Sequence, residues 1–98
     1  MGQDFNKVEA MVTELDELEV KLSDPATHSN PNEARRIGKR HAELKPVVAK
    51  YREWLQLRDD EIAAREMGEE DAAFLAEAET MALAREAAAE KLQEMLIP

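Results

Sequence analysis

Three stretches of the chain repeat apolar residues at alternating spacings of three and four, the spacing of one face of an α-helix. The first stretch begins near Asp4 and ends near Leu22, just before the pair Asp24-Pro25. Charged side chains occupy most of its other positions, as expected for the solvent face of a helix. The pattern predicts a first helix over about residues 4–22, with an apolar stripe of Val8, Met11, Leu15, Leu18 and Leu22.

The second stretch is the longest, and it opens with residues typical of a helix N-terminus. Asn30 can cap the helix, Pro31 suits the first helical position, and Glu33 stands three residues after the cap. The pattern predicts a helix over about residues 31–67, roughly 50 Å long, with the stripe Ala34, Ile37, His41, Leu44, Val48, Tyr51, Leu55 and Ile62. Because the stripe keeps its phase across Pro46, we expect one kinked helix rather than two helices.

The third stretch follows Gly68, which is a natural helix stop. Acidic residues at 69–71 stand where the dipole of a following helix favours negative charge. We expect a last helix over about residues 70–96, with the stripe Phe74, Ala78, Met81, Ala88, Leu92 and Met95, which Arg85 interrupts. The three segments predict a single all-α domain over residues 1–98, an elongated antiparallel three-helix bundle with coiled-coil-like packing and a kinked long second helix.

Composition narrows the classes of function. The formal net charge of -9 would repel nucleic-acid phosphates over most of the surface, so we expect no DNA partner. The chain has no cysteine, hence no disulfide or thiolate metal site, and no apolar run approaches the roughly 20 residues that span a bilayer. The first residues also lack the basic and apolar parts of a secretion signal. We therefore expect a cytoplasmic protein without a membrane partner.

One cluster of basic residues stands out against this acidic background. Arg35, Arg36, Lys39 and Arg40 form two adjacent columns spaced by four on the second predicted helix, and Lys45 extends them. One interpretation is a contact surface for RNA or an acidic protein. The other is a solvated helix face whose cations pair with neighbouring carboxylates such as Glu33 and Glu43.

No other group of residues indicates catalysis or cofactor binding. His28 and His41 are far apart and lack further metal ligands nearby. The acidic runs fall on a helix surface and a turn, where carboxylates are solvated, and no nucleophile–base pair or phosphate loop is present. Tyr51 and Trp54 are expected to pack in the core, with an aromatic anchor for a partner as the alternative. We expect no enzyme activity, no metal and no cofactor.

Several short segments, in order along the chain, resemble the N-terminal domain of the bacterial peptide chain release factor 1 family. They are Leu22-Ser23-Asp24-Pro25, Asn30-Pro31, Ala42-Glu43-Leu44-Lys45-Pro46-Val47-Val48, Tyr51-Arg52-Glu53-Trp54 and Met95-Leu96-Ile97-Pro98. The turn near Gly68 is shorter than is usual in that family. The resemblance covers essentially the whole chain.

The resemblance implies a domain that docks and orients a translation termination factor on the ribosome near the stalk base. Its implied partners are the stalk-base protein, ribosomal RNA and the remaining domains of the same factor. Family members release peptide through a Gly-Gly-Gln tripeptide, and this chain contains no Gly-Gly pair. Pro25-Ala26-Thr27 matches the family's codon-reading Pro-x-Thr pattern by coincidence, since it lies in the first interhelical turn. The alternative function is a free-standing helical adaptor or coiled-coil spacer that binds a protein partner.

Overall fold

The computed structural model describes residues 5–97, and all of its regular structure is helical. Four helices follow one another along the chain: α1 (Asn6–Leu22), α2 (Pro25–His28), α3 (Pro31–Met67) and α4 (Ala73–Met95). No β-strand occurs between residues 5 and 97. The predicted all-α helical bundle is confirmed. The expected start of the first helix at Asp4 lies outside the described residues.

The short helix α2 was not predicted, although its residues carry a recognisable start signal. The Asp24 side chain accepts a hydrogen bond from the Ala26 amide at 3.0 Å, and Pro25 takes the first helical position. An Asp cap followed by Pro is a common way to begin a helix. The pair Asp24-Pro25 thus follows the end of α1 directly and also begins α2, whereas the sequence pattern indicated only the end of α1.

The start of α3 agrees with half of the predicted capping arrangement. The Asn30 side chain accepts a hydrogen bond from the Glu33 amide at 3.2 Å. The Glu33 carboxylate does not return to the Asn30 amide, which instead donates to the Thr27 carbonyl at 3.2 Å. Because α2 brings that carbonyl within reach, Glu33 is left to bind Arg36.

Helix α3 is continuous over 37 residues, about 55 Å of helix, and includes Pro46. The prediction of one helix rather than two is confirmed, while the kink stays a prediction. Contacts divide the chain into two compact units, Met1–Ala49 and Lys50–Pro98. The single-domain organisation over residues 1–98 also stays a prediction.

In the first unit, α1 lies antiparallel to the first part of α3. Glu14 pairs with Arg40, while Lys21, further along α1, lies near Glu33, earlier in α3. The apolar stripes of the two helices form one core, and the helix-face predictions hold for its members: Leu15, Leu18, Ile37, Leu44 and Val48, flanked by Met11, Val12 and Leu22.

In the second unit, the buried face of α3 departs from the predicted stripe. Ile62 is 52% exposed, whereas Trp54 and Ala64 are buried. The buried residues Val47, Tyr51 and Trp54 are spaced by four and three, as on one helix face, and Glu61, seven residues after Trp54, is only 13% exposed. In this part of α3 the buried face therefore lies one position before Leu55 and Ile62 of the predicted stripe. On α4 the predicted stripe holds, with Ala78, Ala88 and Leu92 fully or almost fully buried.

The turn between α3 and α4 is set by Gly68 and Asp71. Gly68 does not adopt a left-handed conformation. A Cβ atom there would lie 2.8 Å from Cγ of Leu75, so close packing, not backbone freedom, is what favours glycine. Asp71 accepts a hydrogen bond at 3.0 Å from the amide of Ala73, the first residue of α4, while the N-cap residue Ala72 makes no side-chain cap. The last helix was predicted from residue 70, and its regular part starts three residues later, at Ala73.

Candidate functional site

The four basic residues predicted as a contact surface all lie near the start of α3, in the first unit. Arg35, Arg36 and Lys39 are exposed, and Arg40 is half-buried. The Asn30 cap and Pro31 fix where α3 begins, and helical spacing then places Arg35 beside Lys39 and Arg36 beside Arg40. The structure therefore brings the four together in two columns, as the sequence predicted.

Arg40 is engaged by a carboxylate from another helix. Its Nε and Nη2 atoms donate to the two carboxylate oxygens of Glu14 on α1, at 2.7 and 2.9 Å. These hydrogen bonds lower the pKa of the Glu14 carboxyl below its ordinary value of 4.5, with burial opposing them. Glu43 approaches the same guanidinium at 3.5 Å. Arg40 thus links α1 to α3, and its charge is largely neutralised.

Arg36 is also paired, but locally and in the open. Its Nε atom donates to Glu33 Oε2 at 3.1 Å, one turn earlier on the same helix. This hydrogen bond raises the pKa of Arg36 and lowers that of Glu33. Pairing with neighbouring carboxylates was the alternative interpretation of the cluster, and it holds for Arg36 and in part for Arg40.

Arg35 and Lys39 differ from the other two cations. Over residues 5–97, neither has a carboxylate oxygen within 4.0 Å, and both are exposed. They lie four residues apart on α3, so their charges sit side by side on one helix face. We call them the Arg35–Lys39 pair; within the predicted cluster, these are the two cations without a carboxylate partner among residues 5–97.

A second charged cluster, in the second unit, was not predicted as a unit. Glu61 accepts hydrogen bonds from Arg65 Nε at 2.9 Å and from Arg85 Nε, on α4, at 2.8 Å. Burial raises the pKa of Glu61, but the hydrogen bonds from the two arginines outweigh it and lower the pKa overall. Arg85, which interrupts the stripe of α4 in the sequence, is therefore explained by a carboxylate 24 residues earlier, a distance that local pattern cannot reveal.

The two aromatic residues serve the core. Tyr51 and Trp54 are 5% and 8% exposed, and their rings are stacked with centroids 6.0 Å apart. The Arg58 guanidinium lies over the Trp54 ring, 5.6 Å from its centroid, in a cation–π geometry. Because both rings are buried, the expected core role is the one they have here, rather than that of an exposed anchor.

The remaining candidates also have local roles. His28 contacts the Leu22 carbonyl through Nε2 at 2.6 Å, at the end of α1, while His41 lies 3.4 Å from Glu19. Pro25, Ala26 and Thr27 form most of α2. Over the described residues 5–97, no three histidines or acidic residues are grouped to hold a metal ion. In the same range, no helix combines the length and apolar character needed to cross a bilayer.

Comparison with known proteins gives the family. The profile of the PCRF domain matches residues 11–98. Peptide chain release factor 1 of Leifsonia xyli subsp. xyli is 45% identical over 94 residues, which are 96% of this chain and 26% of that protein. The protein of the same name from Corynebacterium efficiens is 42% identical over 98 residues, 100% of this chain and 27% of the relative.

The chain thus spans about a quarter of the length of the curated relatives it matches. A third relative, peptide chain release factor 1 of Acidothermus cellulolyticus, is 44% identical over 94 residues, which are again 96% of this chain and 26% of that protein. No solved structure matches the chain. The resemblance found in the sequence is confirmed, and because the profile covers most of its length, the chain belongs to the PCRF domain family.

Proposed function

We propose that this chain is the N-terminal helical domain of a translation termination factor, and that it helps to dock and orient the factor on the ribosome near the stalk base. The observation that carries the proposal is the 42–45% identity to proteins named peptide chain release factor 1 along almost the entire chain. A factor that acts on ribosomes works in the cytoplasm. Stop-codon-dependent peptide release belongs to later domains of the same factor.

The contact surface in this proposal is the Arg35–Lys39 pair. Exposed cations attract RNA phosphates or an acidic protein surface, and such contacts act mainly on the rate of encounter. Arg36 and Arg40 contribute less, because Glu33 and Glu14 already neutralise them. Of the four predicted residues, we therefore propose Arg35 and Lys39 as the main contact, because neither is paired with a carboxylate within 4.0 Å over residues 5–97.

The test is charge reversal in the full-length factor. Arg35→Glu combined with Lys39→Glu should slow association with stop-codon ribosomes most at low salt, and the difference should shrink as salt rises. Stopped-flow association across a salt series measures this. The matched control is Lys7→Glu combined with Lys91→Glu, which changes the net charge equally at exposed positions away from the pair. Peptide release at saturating factor should be unchanged.

Two outcomes would contradict the proposal. Equal association rates for the pair variant and the control would show that the pair is a solvated face. Release activity of the 98-residue chain alone would contradict the assignment of the chemistry to later domains, since the chain contains no Gly-Gly pair. The expected result for the isolated chain is ester hydrolysis of peptidyl-tRNA no faster than in buffer.

A further inference from the structure

Negative charge is concentrated in one segment of this chain. Residues 59–82 contain nine acidic side chains and one basic one, Arg65, which leaves an excess of eight negative charges. The whole chain has a net charge of -9, so the rest of it is nearly neutral. The segment comprises the end of α3, the turn and the start of α4. The acidity of the protein is therefore a property of this one helical hairpin.

The same hairpin carries an apolar surface groove between α3 and α4. The groove has a volume of about 220 Å³, and its apolar lining includes Ala63, Met67, Phe74 and Met81. Phe74 and Met81 are half-buried, while Met67 is 50% exposed. Small-molecule sites usually enclose about 300–1,000 Å³, so this groove is better suited to a few side chains of a protein partner.

Two carboxylates, Asp60 and Glu77, lie at the groove itself. Asp60 accepts a hydrogen bond from the side-chain amide of Gln56 at 2.8 Å. Over residues 5–97, neither carboxylate has a cation within 4.0 Å, and the same holds for Glu66, Glu69 and Glu70 near the turn. The contrast is with Glu61, which is bound by two arginines. The carboxylates beside the groove are thus available to a positively charged ligand.

We propose that this groove binds a basic amphipathic helix from a partner protein. Apolar side chains on one face of such a helix would fill the groove, and flanking lysines or arginines would face Asp60, Glu77 and the acidic turn. Methionines suit the lining of such a groove, because their flexible side chains adapt to partners of different shapes. RNA is disfavoured by the excess of negative charge. The inference does not depend on ribosome docking, since it concerns other residues of opposite charge.

The probe for the test is a synthetic, fluorescein-labelled helical peptide with leucines along one face and lysines on both flanks. Fluorescence anisotropy with the 98-residue protein should show saturable binding that weakens as salt rises. One control peptide has the same composition in an order that spreads the leucines around the helix. A second control replaces the lysines with glutamates. Both controls should bind at least about tenfold more weakly.

Two pairs of protein variants locate the site. Ala63→Leu adds bulk to the groove lining and should abolish binding, whereas Ala76→Leu, at an exposed α4 position outside that lining, should not. Asp60→Asn with Glu77→Gln should weaken binding by about 2- to 30-fold at low salt. Glu86→Gln with Glu90→Gln is its charge-matched control at exposed positions beyond the acidic segment. Circular dichroism confirms that each variant keeps its helix content.

Several results would overturn the proposal. No saturable binding of the basic peptide at concentrations up to about 1 mM, the weak end of specific affinities, would show that the groove is not a docking site. Equal binding of the glutamate peptide would remove the charge argument. Stronger binding of a single-stranded RNA oligonucleotide, or self-association that Ala63→Leu abolishes, would identify a different occupant. None of these results bears on the Arg35–Lys39 pair, so the two proposals fail independently.

Discussion

Replacing Glu61 with Gln is the most direct test of how the second unit is held together. Only 13% of the Glu61 side chain is exposed, and its two oxygens accept from Arg85 on α4 and Arg65 on α3. Glutamine keeps the shape but loses the charge, and its amide nitrogen cannot accept a hydrogen bond. One of the two guanidinium groups must therefore lose its acceptor, and both lose a counter-charge.

The expected loss of unfolding free energy lies between two reference cases. Exposed ion pairs contribute about 0.2–1 kcal/mol, and breaking a fully buried pair costs about 3–5 kcal/mol. Arg85 is 28% exposed and Arg65 is 49% exposed, so water can partly replace the lost acceptor. We expect a loss of about 1–2 kcal/mol, which for a chain of this size lowers the melting temperature by about 5–10 °C.

The effect should depend on pH in a defined direction. The folded pKa of Glu61 lies below its ordinary value of 4.5, because the arginine hydrogen bonds outweigh burial. A carboxyl of this kind contributes stability that is complete above its unfolded pKa and is lost as pH falls through its folded pKa. The stability difference between wild type and Glu61→Gln should therefore be constant near neutral pH and shrink in acid.

The assay is urea denaturation followed by circular dichroism, at neutral pH and at a series of acidic values. Glu66→Gln is the control, because Glu66 is exposed and has no cation within 4.0 Å over residues 5–97. A double-mutant cycle with Arg85→Met isolates the interaction across the two helices. The reasoning is refuted if Glu61→Gln and Glu66→Gln cost the same, or if the difference from wild type persists unchanged at low pH.

Substitutions at four further positions test local features of the fold by thermal denaturation. Gly38→Ala should raise stability by about 1 kcal/mol, because an added Cβ meets nothing within 4 Å; a loss would show hidden crowding. Leu44→Ala should cost about 2–5 kcal/mol, since Leu44 is 2% exposed, whereas Leu83→Ala, at 69% exposure, should change stability by under about 0.5 kcal/mol. Asp71→Ala should cost about 1 kcal/mol by removing the hydrogen bond to the Ala73 amide, and Asp71→Asn should retain most of that stability; equal losses would show that this hydrogen bond does not stabilise the turn.

The sequence predicted best those features that depend on short-range periodicity. The boundaries of α3 agree with the prediction, because a cap signal at Asn30 and a stop at Gly68 enclose one long amphipathic pattern. The buried positions of α1 followed in the same way. Exposure of Ile62 could not be predicted, because the neighbouring position on the buried face of α3 is Glu61, a carboxylate held by two arginines. The spacing of apolar residues alone does not reveal a mostly buried carboxylate.

Contacts between residues that are distant in the sequence could not be predicted from the sequence either. The cationic cluster was correctly placed on one helix, yet its charge is reduced by Glu14, which lies 26 residues before Arg40. Likewise, Gly68 was assigned a backbone role, whereas the structure gives it a packing role against Leu75. In each case the role of a residue depends on a partner seven or more positions away in the sequence. Helical spacing alone cannot identify such a partner.

Pro46 has a consequence for how the protein opens. Having no amide hydrogen, Pro46 leaves the Ala42 carbonyl without its helical donor, and Ala42 is exposed, so water can hydrate that carbonyl. The division between the two compact units falls only a few residues later, between Ala49 and Lys50. When one unit unfolds, α3 can therefore separate near Pro46, where the helix already lacks one internal hydrogen bond. In amide hydrogen exchange, the two halves of this single helix should show separate levels of protection, as two cooperative units do.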